Sequence, residues 1–192
     1  MGKGTELVVT EGSLLQVAKS QATSLADAFI GVTAVIIVDE SGSMEMHDSR
    51  GGKSRFEVAC EELAKLQRGN PGRFLVIGFS SDVQPRIGGV PVLQGGGTDM
   101  AKALHYAKEY DVLGMKFFLV SDGEPDSKEK TLEEAKRFRN TISTIFVGPE
   151  ADPLGRDFLQ KLASASGGQS LTADRVMELA ERVETLMLGA GA

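Results

Sequence analysis

Three short segments, far apart in the chain, hold residues that could do chemistry together. Asp39-Glu40-Ser41-Gly42-Ser43 follows the apolar run Val35-Ile36-Ile37-Val38. Gly95-Gly96-Gly97-Thr98-Asp99 is a glycine run closed by two polar residues. Ser121-Asp122-Gly123-Glu124 follows Phe117-Phe118-Leu119-Val120. Two of the three therefore fall where a buried strand runs out into a loop, and open parallel sheets bind ligands at the carboxyl ends of their strands. The groups on offer are carboxylates and hydroxyls. Hard oxygen donors without thiolate or imidazole suit Mg²⁺, Mn²⁺ or Ca²⁺ and not zinc or copper. The glycines at 95–97 free the backbone to bring Thr98 close to an ion. Asp99 is expected in the first turn of the next helix, favoured there by the dipole, and is not a ligand.

Around these segments stand residues with two readings each. Glu40, Glu45, Glu124 and Asp126 form an acidic rim that attracts cations, or are simply solvated loop acids. Met44, Met46 and His47 follow the first segment in a loop beside the site. With Glu124 they are the candidate ligand-binding rim, with chance exposure as the alternative. His105 falls between the apolar positions of its helix and reads as a surface residue. Cys60 lies among Phe56, Ala59, Leu63 and Leu66 in a helical pattern, which predicts a buried free thiol. As the single cysteine it has no intrachain partner, which is compatible with a reducing compartment.

The elements that must position the site alternate between strand and helix. Continuous β-branched or aromatic runs at 32–38, 74–79, 115–120 and 142–147 read as strands buried on both faces. Two arms at 83–87 and 90–93 suggest a hairpin, demoted to the sheet edge by Pro85 and Pro91. Helices are expected at about 54–67, from Thr98 to about Tyr110, at 127–139, 154–165 and through a last segment carrying Val176, Ala180, Val183 and Met187. A short strand is expected at 169–172. Thr131 with Glu134 and Ser127 compete as the start of the helix at 127–139. Residues 12–30 read as one helix whose face carries Leu14, Ala18, Ala22, Leu25 and Phe29. That face is expected to pack on the chain's own sheet; docking on a partner or a membrane is the alternative, and the low positive charge argues against the membrane. The class is α/β, a mostly parallel sheet sandwiched by helices.

Other phosphate chemistry fails on spacing. Gly52-Lys53-Ser54 resembles the end of a P-loop, but the motif needs a glycine where His47 stands. The first strong strand is followed by Asp39-Glu40-Ser41-Gly42-Ser43 and not by a dinucleotide fingerprint. A Mg²⁺-dependent phosphotransfer enzyme is the enzymatic alternative. Phosphatases of that kind usually place a second Asp where Ser41 stands, and a receiver domain places a lysine after a late strand, where Gly148-Pro149 stands.

The arrangement Asp-x-Ser-x-Ser, a distant Thr after a glycine run and a strand-terminal Asp resembles the von Willebrand factor A domain with its metal-ion-dependent adhesion site. The resemblance spans about residues 31–188. Asp39, Ser41 and Ser43 match the first segment, Thr98 the lone threonine, and Asp122 the last acid. It implies a three-layer, doubly wound sheet of strand order 3-2-1-4-5-6 with one antiparallel edge strand at about 83–93. Residues 1–30 are then an N-terminal arm and helix packed on a domain of 31–192. It also implies a bound Mg²⁺ or Mn²⁺, ahead of Ca²⁺, and a protein partner that offers it an Asp or Glu carboxylate. A free-standing intracellular copy would serve as an adaptor, with an AAA+ ATPase as the partner class; a secreted adhesion module is the alternative. No nucleophile–base pair stands beside the cluster, so the expectation is a binding domain and not an enzyme.

Bulk properties agree with that class. Of 192 residues, 41% are hydrophobic and 25% charged, enough for a single core. The net charge of -6 comes without a basic stripe, which argues against nucleic acid. Lys136, Arg137 and Arg139 read as a solvated helix face. No apolar run reaches the ~18 residues of a membrane span, and no leader is visible, so the cytoplasm is the expected location.

Overall fold

The structure, a computed structural model, describes residues 8–149 and 153–172. The expected arm before residue 8 and the expected last helix at about 174–188 lie outside the described residues.

Among the described residues six strands form one sheet: β1 (Ala34–Asp39), β2 (Phe74–Phe79), β3 (Val83–Pro85), β4 (Lys116–Ser121), β5 (Ile142–Phe146) and β6 (Ser170–Thr172). Their spatial order is β3-β2-β1-β4-β5-β6, and β3 alone is antiparallel to its neighbour. Alternate residues of the central strands feed two cores, one on each face. Val35, Ile37, Leu75, Ile77, Phe117 and Leu119 face one side, where α4 (Met100–Ala107), α5 (Lys128–Ala135) and α6 (Pro153–Ser166) pack. Ala34, Ile36, Val38, Phe74, Val76 and Phe118 face the other, against Val58, Ala59, Leu63 and Leu66 of α3 (Arg55–Gly69). Burial on both faces explains why these strands read as unbroken apolar runs and not as alternating ones.

Register decides where the chemistry emerges. Val38 of β1 lies beside Val120 of β4, so Asp39 and the Ser121-Asp122 turn leave the sheet at the same carboxyl edge.

Several expectations change. The single helix at 12–30 is two: α1 (Leu14–Ser20) and α2 (Leu25–Ile30). Ser24 breaks it with a capping box: its Oγ accepts the Asp27 N–H at 3.1 Å, and Asp27 accepts the Ser24 N–H at 3.3 Å. Ala22 takes a left-handed φ of 51° and is exposed, so it leaves the apolar face. Leu14 and Ala18 are buried, whereas Leu25 and Phe29 are half-buried against the same core. The hairpin is reduced to β3; the segment at 90–93 is not a strand, because the Val92 N–H donates to the Glu40 carboxylate at 2.8 Å instead of to a ladder. Thr98 does not open a helix. Asp99 caps α4, accepting the Lys102 N–H at 3.0 Å, and a separate 3-10 turn follows at Lys108–Tyr110. Ser127 caps α5, while Thr131 sits inside it, buried, donating to the Ser127 carbonyl at 2.7 Å. The helix ends at Ala135, so Lys136, Arg137 and Arg139 are exposed on the turn beyond it. Among the described residues no helix is long and apolar enough to cross a membrane.

Candidate metal centre

Asp39, the last residue of β1, is wholly buried. Its Oδ1 accepts the Ser41 N–H at 2.9 Å, and its Oδ2 accepts the Ser121 hydroxyl at 2.6 Å. Ser121 in turn accepts the Gly123 N–H at 3.0 Å, which ties the two strand ends together. After Asp39 the chain curls into a 3-10 turn, Gly42–Glu45, with Ser41 at its start. That curl brings the Ser41 and Ser43 hydroxyl oxygens to 3.2 Å from each other.

The glycine loop docks on this turn. The Gly42 N–H donates to the Gly96 carbonyl at 3.5 Å, and the Glu40 carbonyl accepts the N–H groups of Gln94 and Gly95 at 2.9 and 3.1 Å. Gly95 and Gly96 have φ of 71° and 79°, a conformation that side chains with a Cβ disfavour. Thr98 follows, 6% exposed, clamped by Asp126: its N–H donates to the Asp126 carboxylate at 2.9 Å, and the Asp126 N–H donates to its carbonyl at 3.0 Å. Asp122, 2% exposed, accepts from Nη1 of Arg55 at 2.9 Å and from the Glu124 N–H at 3.4 Å. All five residues of the sequence motif thus stand at one edge of the sheet, Asp39 as the last residue of β1 and the other four in the turns and loops beyond the strands.

The rim differs from expectation. Met44 is wholly buried and packs in the α3-side core, so it does not stand on the rim; the 3-10 turn points it inward. Met46, His47 and Glu124 are exposed. Glu40 is wholly buried and holds Arg86 in an ion pair, so it is no rim acid. Asp126 fastens Thr98.

Three charged residues packed near these loops, Arg55, Asp48 and Arg86, escaped the sequence reading, as did the structural role of Glu40. Arg55 carried no periodic signal, and a charged residue just inside a helix start usually faces water. For Glu40 a signal existed. Gly78 interrupts the apolar run of β2, and an isolated strand glycine marks a close approach. A Cβ there would fall 2.1 Å from Glu40 Oε1.

The carboxylates of this cluster differ in how their charge is met. Burial, and then the negative charge of Asp122, push the Asp39 carboxyl up to about 6, against the pull of its Ser121 and Ser41 hydrogen bonds. The Arg55 guanidinium holds Asp48 below the usual carboxylate range. Asp48 first, and Asp122 after it, raise the Arg55 pKa further. Among the described residues no basic group pairs with Asp39. A desolvated, uncompensated carboxylate beside hydroxyl oxygens fits a hard divalent ion. No three of His, Cys, Asp and Glu converge among the described residues, so an ion here would rest on hydroxyls as much as on carboxylates.

No family model and no curated protein sequence matches the chain. Solved structures do. An aerotolerance-related membrane protein from Bacteroides fragilis superposes with a TM-score of 0.65 at 16% identity, covering 83% of this chain and all of that one. A von Willebrand factor type A protein from Catenulispora acidiphila does so at 0.57 and 18%, covering 81% of this chain and 42% of its own length. Proximal thread matrix protein 1 of the mussel byssus gives 0.54 and 17%, with 90% of this chain and 51% of that chain covered. The chain has the von Willebrand factor A fold. At these identities the likeness is one of architecture: six strands in the order 3-2-1-4-5-6, with β3 reversed and helices on both faces. This chain spans only about half of the last two proteins or less. The von Willebrand factor A fold places its loops at the carboxyl edge, where Asp39, Ser41, Ser43, Thr98 and Asp122 stand.

Proposed function

We propose that this domain binds a protein partner through a divalent cation held by Asp39, Ser41, Ser43, Thr98 and Asp122. The observation that carries the reading is the buried Asp39, without a basic partner among the described residues, beside two hydroxyls that the following turn brings to 3.2 Å. When bound, Mg²⁺ or Mn²⁺, ahead of Ca²⁺, would supply Lewis acidity toward an Asp or Glu carboxylate of the partner. The chain's own residues do the rest. Ser41, Ser43 and Thr98 offer neutral oxygens, which leave an ion short of negative charge and receptive to another carboxylate. Ser121 and the Ser41 N–H hold the Asp39 carboxylate in one orientation. Asp126 holds Thr98 in place.

We further propose that the domain is an adaptor and not an enzyme, cytoplasmic, with an AAA+ ATPase as its partner class. The absence of a basic stripe supports a protein over a nucleic acid. Calorimetry with MnCl₂ should show one site that Asp39→Ala abolishes; full binding by that variant refutes the assignment. Capture of the partner should require the metal, cease in EDTA and drop sharply in Thr98→Ala. Metal-dependent phosphoester hydrolysis that disappears in Asp39→Asn would replace the adaptor reading with the enzymatic one.

A further inference from the structure

Arg55 opens α3 and is buried, with 6% of its surface exposed. Its guanidinium is shared unequally. Nη1 donates to Asp122 Oδ2 at 2.9 Å, while Nε and Nη2 together grip Asp48 Oδ1 and Oδ2 at 2.9 and 2.6 Å. The bidentate fork, the stronger geometry, is thus on Asp48 and not on the site's own carboxylate. Asp48 is placed by a closed loop: Met46 accepts the Arg55 N–H at 3.1 Å, the Ser49 N–H donates to the Lys53 carbonyl at 3.3 Å, and the Gly52 N–H donates to the Ser49 carbonyl at 3.1 Å. Gly51 and Gly52 turn that loop with φ of 69° and 73°.

We infer that Asp48 is a positioning residue that sets the strength of cation binding, by taking up most of the charge of Arg55 and leaving Asp39 and Asp122 more of their negative charge than they would keep without it. The inference rests on the cation-binding reading given above. Arg55 cannot lose its proton, so its positive charge is permanent at the edge of a site meant for a cation. With Asp48 in place the Arg55–Asp48 pair is neutral, and the two site carboxylates match a divalent ion. With Asp48 neutralised the guanidinium falls on Asp122 alone, and the site offers half the negative charge. The same fork also fixes which oxygen Arg55 occupies: Oδ2 of Asp122 is taken, while Oδ1 accepts the Glu124 N–H at a longer 3.4 Å. An uncompensated unit charge several ångströms from a divalent ion weakens its binding by on the order of tenfold even at the dielectric of water. Asp48 is the natural place to act because its side chain is 30% exposed, so changing it leaves the core intact.

The test is calorimetric titration of MnCl₂ into the full chain, in wild type, Asp48→Asn and Asp48→Glu, with melting curves of each in EDTA. Asp48→Asn should bind Mn²⁺ about tenfold more weakly, while Asp48→Glu, which restores the charge, binds within about threefold of wild type. In EDTA the Asp48→Asn melting temperature should stay close to wild type, because Arg55 keeps Asp122. Wild-type affinity in Asp48→Asn overturns the inference. So does Asp48→Glu binding as weakly as Asp48→Asn, which would make shape and not charge the role of Asp48. A wild-type chain that binds no Mn²⁺ fails earlier and removes the cation-binding reading itself, together with what rests on it.

Discussion

Glu40 shows what happens to an acid that the chain places beside the proposed cation site but turns the other way. Backbone alternation at the end of β1 sends it away from Asp39 and onto Gly78, where Arg86, the Val92 N–H and the Gln94 amide together satisfy it. A buried carboxylate survives only with such a set of partners. Its negative charge is felt nearby at Cys60, a free, half-buried thiol. Burial first, and then Glu40, Glu57 and Glu61, push that thiol from 9.0 up to about 12. The folded chain therefore holds this proton more tightly than the unfolded one. The stability contributed is complete below pH 9.0 and is lost as pH climbs toward about 12. Iodoacetamide at pH 8 should alkylate Cys60 far more slowly in the native chain than in urea. Equal rates in the two states would show that the thiol is open and unperturbed.

Caps and register account for the elements. Ser13, Ser24, Ser54, Asp99 and Ser127 each cap a helix by accepting a backbone N–H, and they fix where α1 to α5 begin. The cap at Ser24 has an energetic consequence, because splitting the N-terminal region leaves its two leucines unequal. Leu14 is 1% exposed and sits in the core; Leu25 only leans on it. Leu14→Ala should cost about 2–5 kcal/mol, the range for truncating a buried leucine, and Leu25→Ala clearly less. Urea unfolding of the two variants checks the order; equal losses would mean that α2 is packed as deeply as α1.

At the scale of the molecule, the proposed site is an edge feature at the carboxyl end of the sheet. Two apolar clusters, one on each face of the sheet, hold the strands, and neither contains Asp39, Ser41, Ser43, Thr98 or Asp122. Arg55 already compensates part of the negative charge of Asp122. Removing metal should therefore leave the secondary structure intact. Circular dichroism in EDTA should match that in Mg²⁺, with the melting temperature lower in EDTA by the binding contribution alone. Collapse of the spectrum in EDTA would show that the ion is part of the core.

The α/β class and the emergence of Asp39 and Asp122 at strand carboxyl ends were legible in the chain because each depends on local information; the strand order came from the family resemblance. Strands buried on both faces are apolar throughout, and residues that follow such a strand emerge at its carboxyl edge. Gly78 was a legible hint of close packing, though not of what packs there. What only the tertiary structure decided depends on groups distant in sequence. Arg55 reaches Asp122 across 67 residues, and Arg86 reaches Glu40 across 46. No window of sequence contains both partners of either pair. Met44 looked like a rim residue because it follows the motif, but a single 3-10 turn rotates it into the core. The strand ends that bring Asp39 and Asp122 to one edge were thus written locally. The charges that tune them were settled by folding, because desolvation forces each buried ionised group to find its counter-charge wherever in the chain that lies.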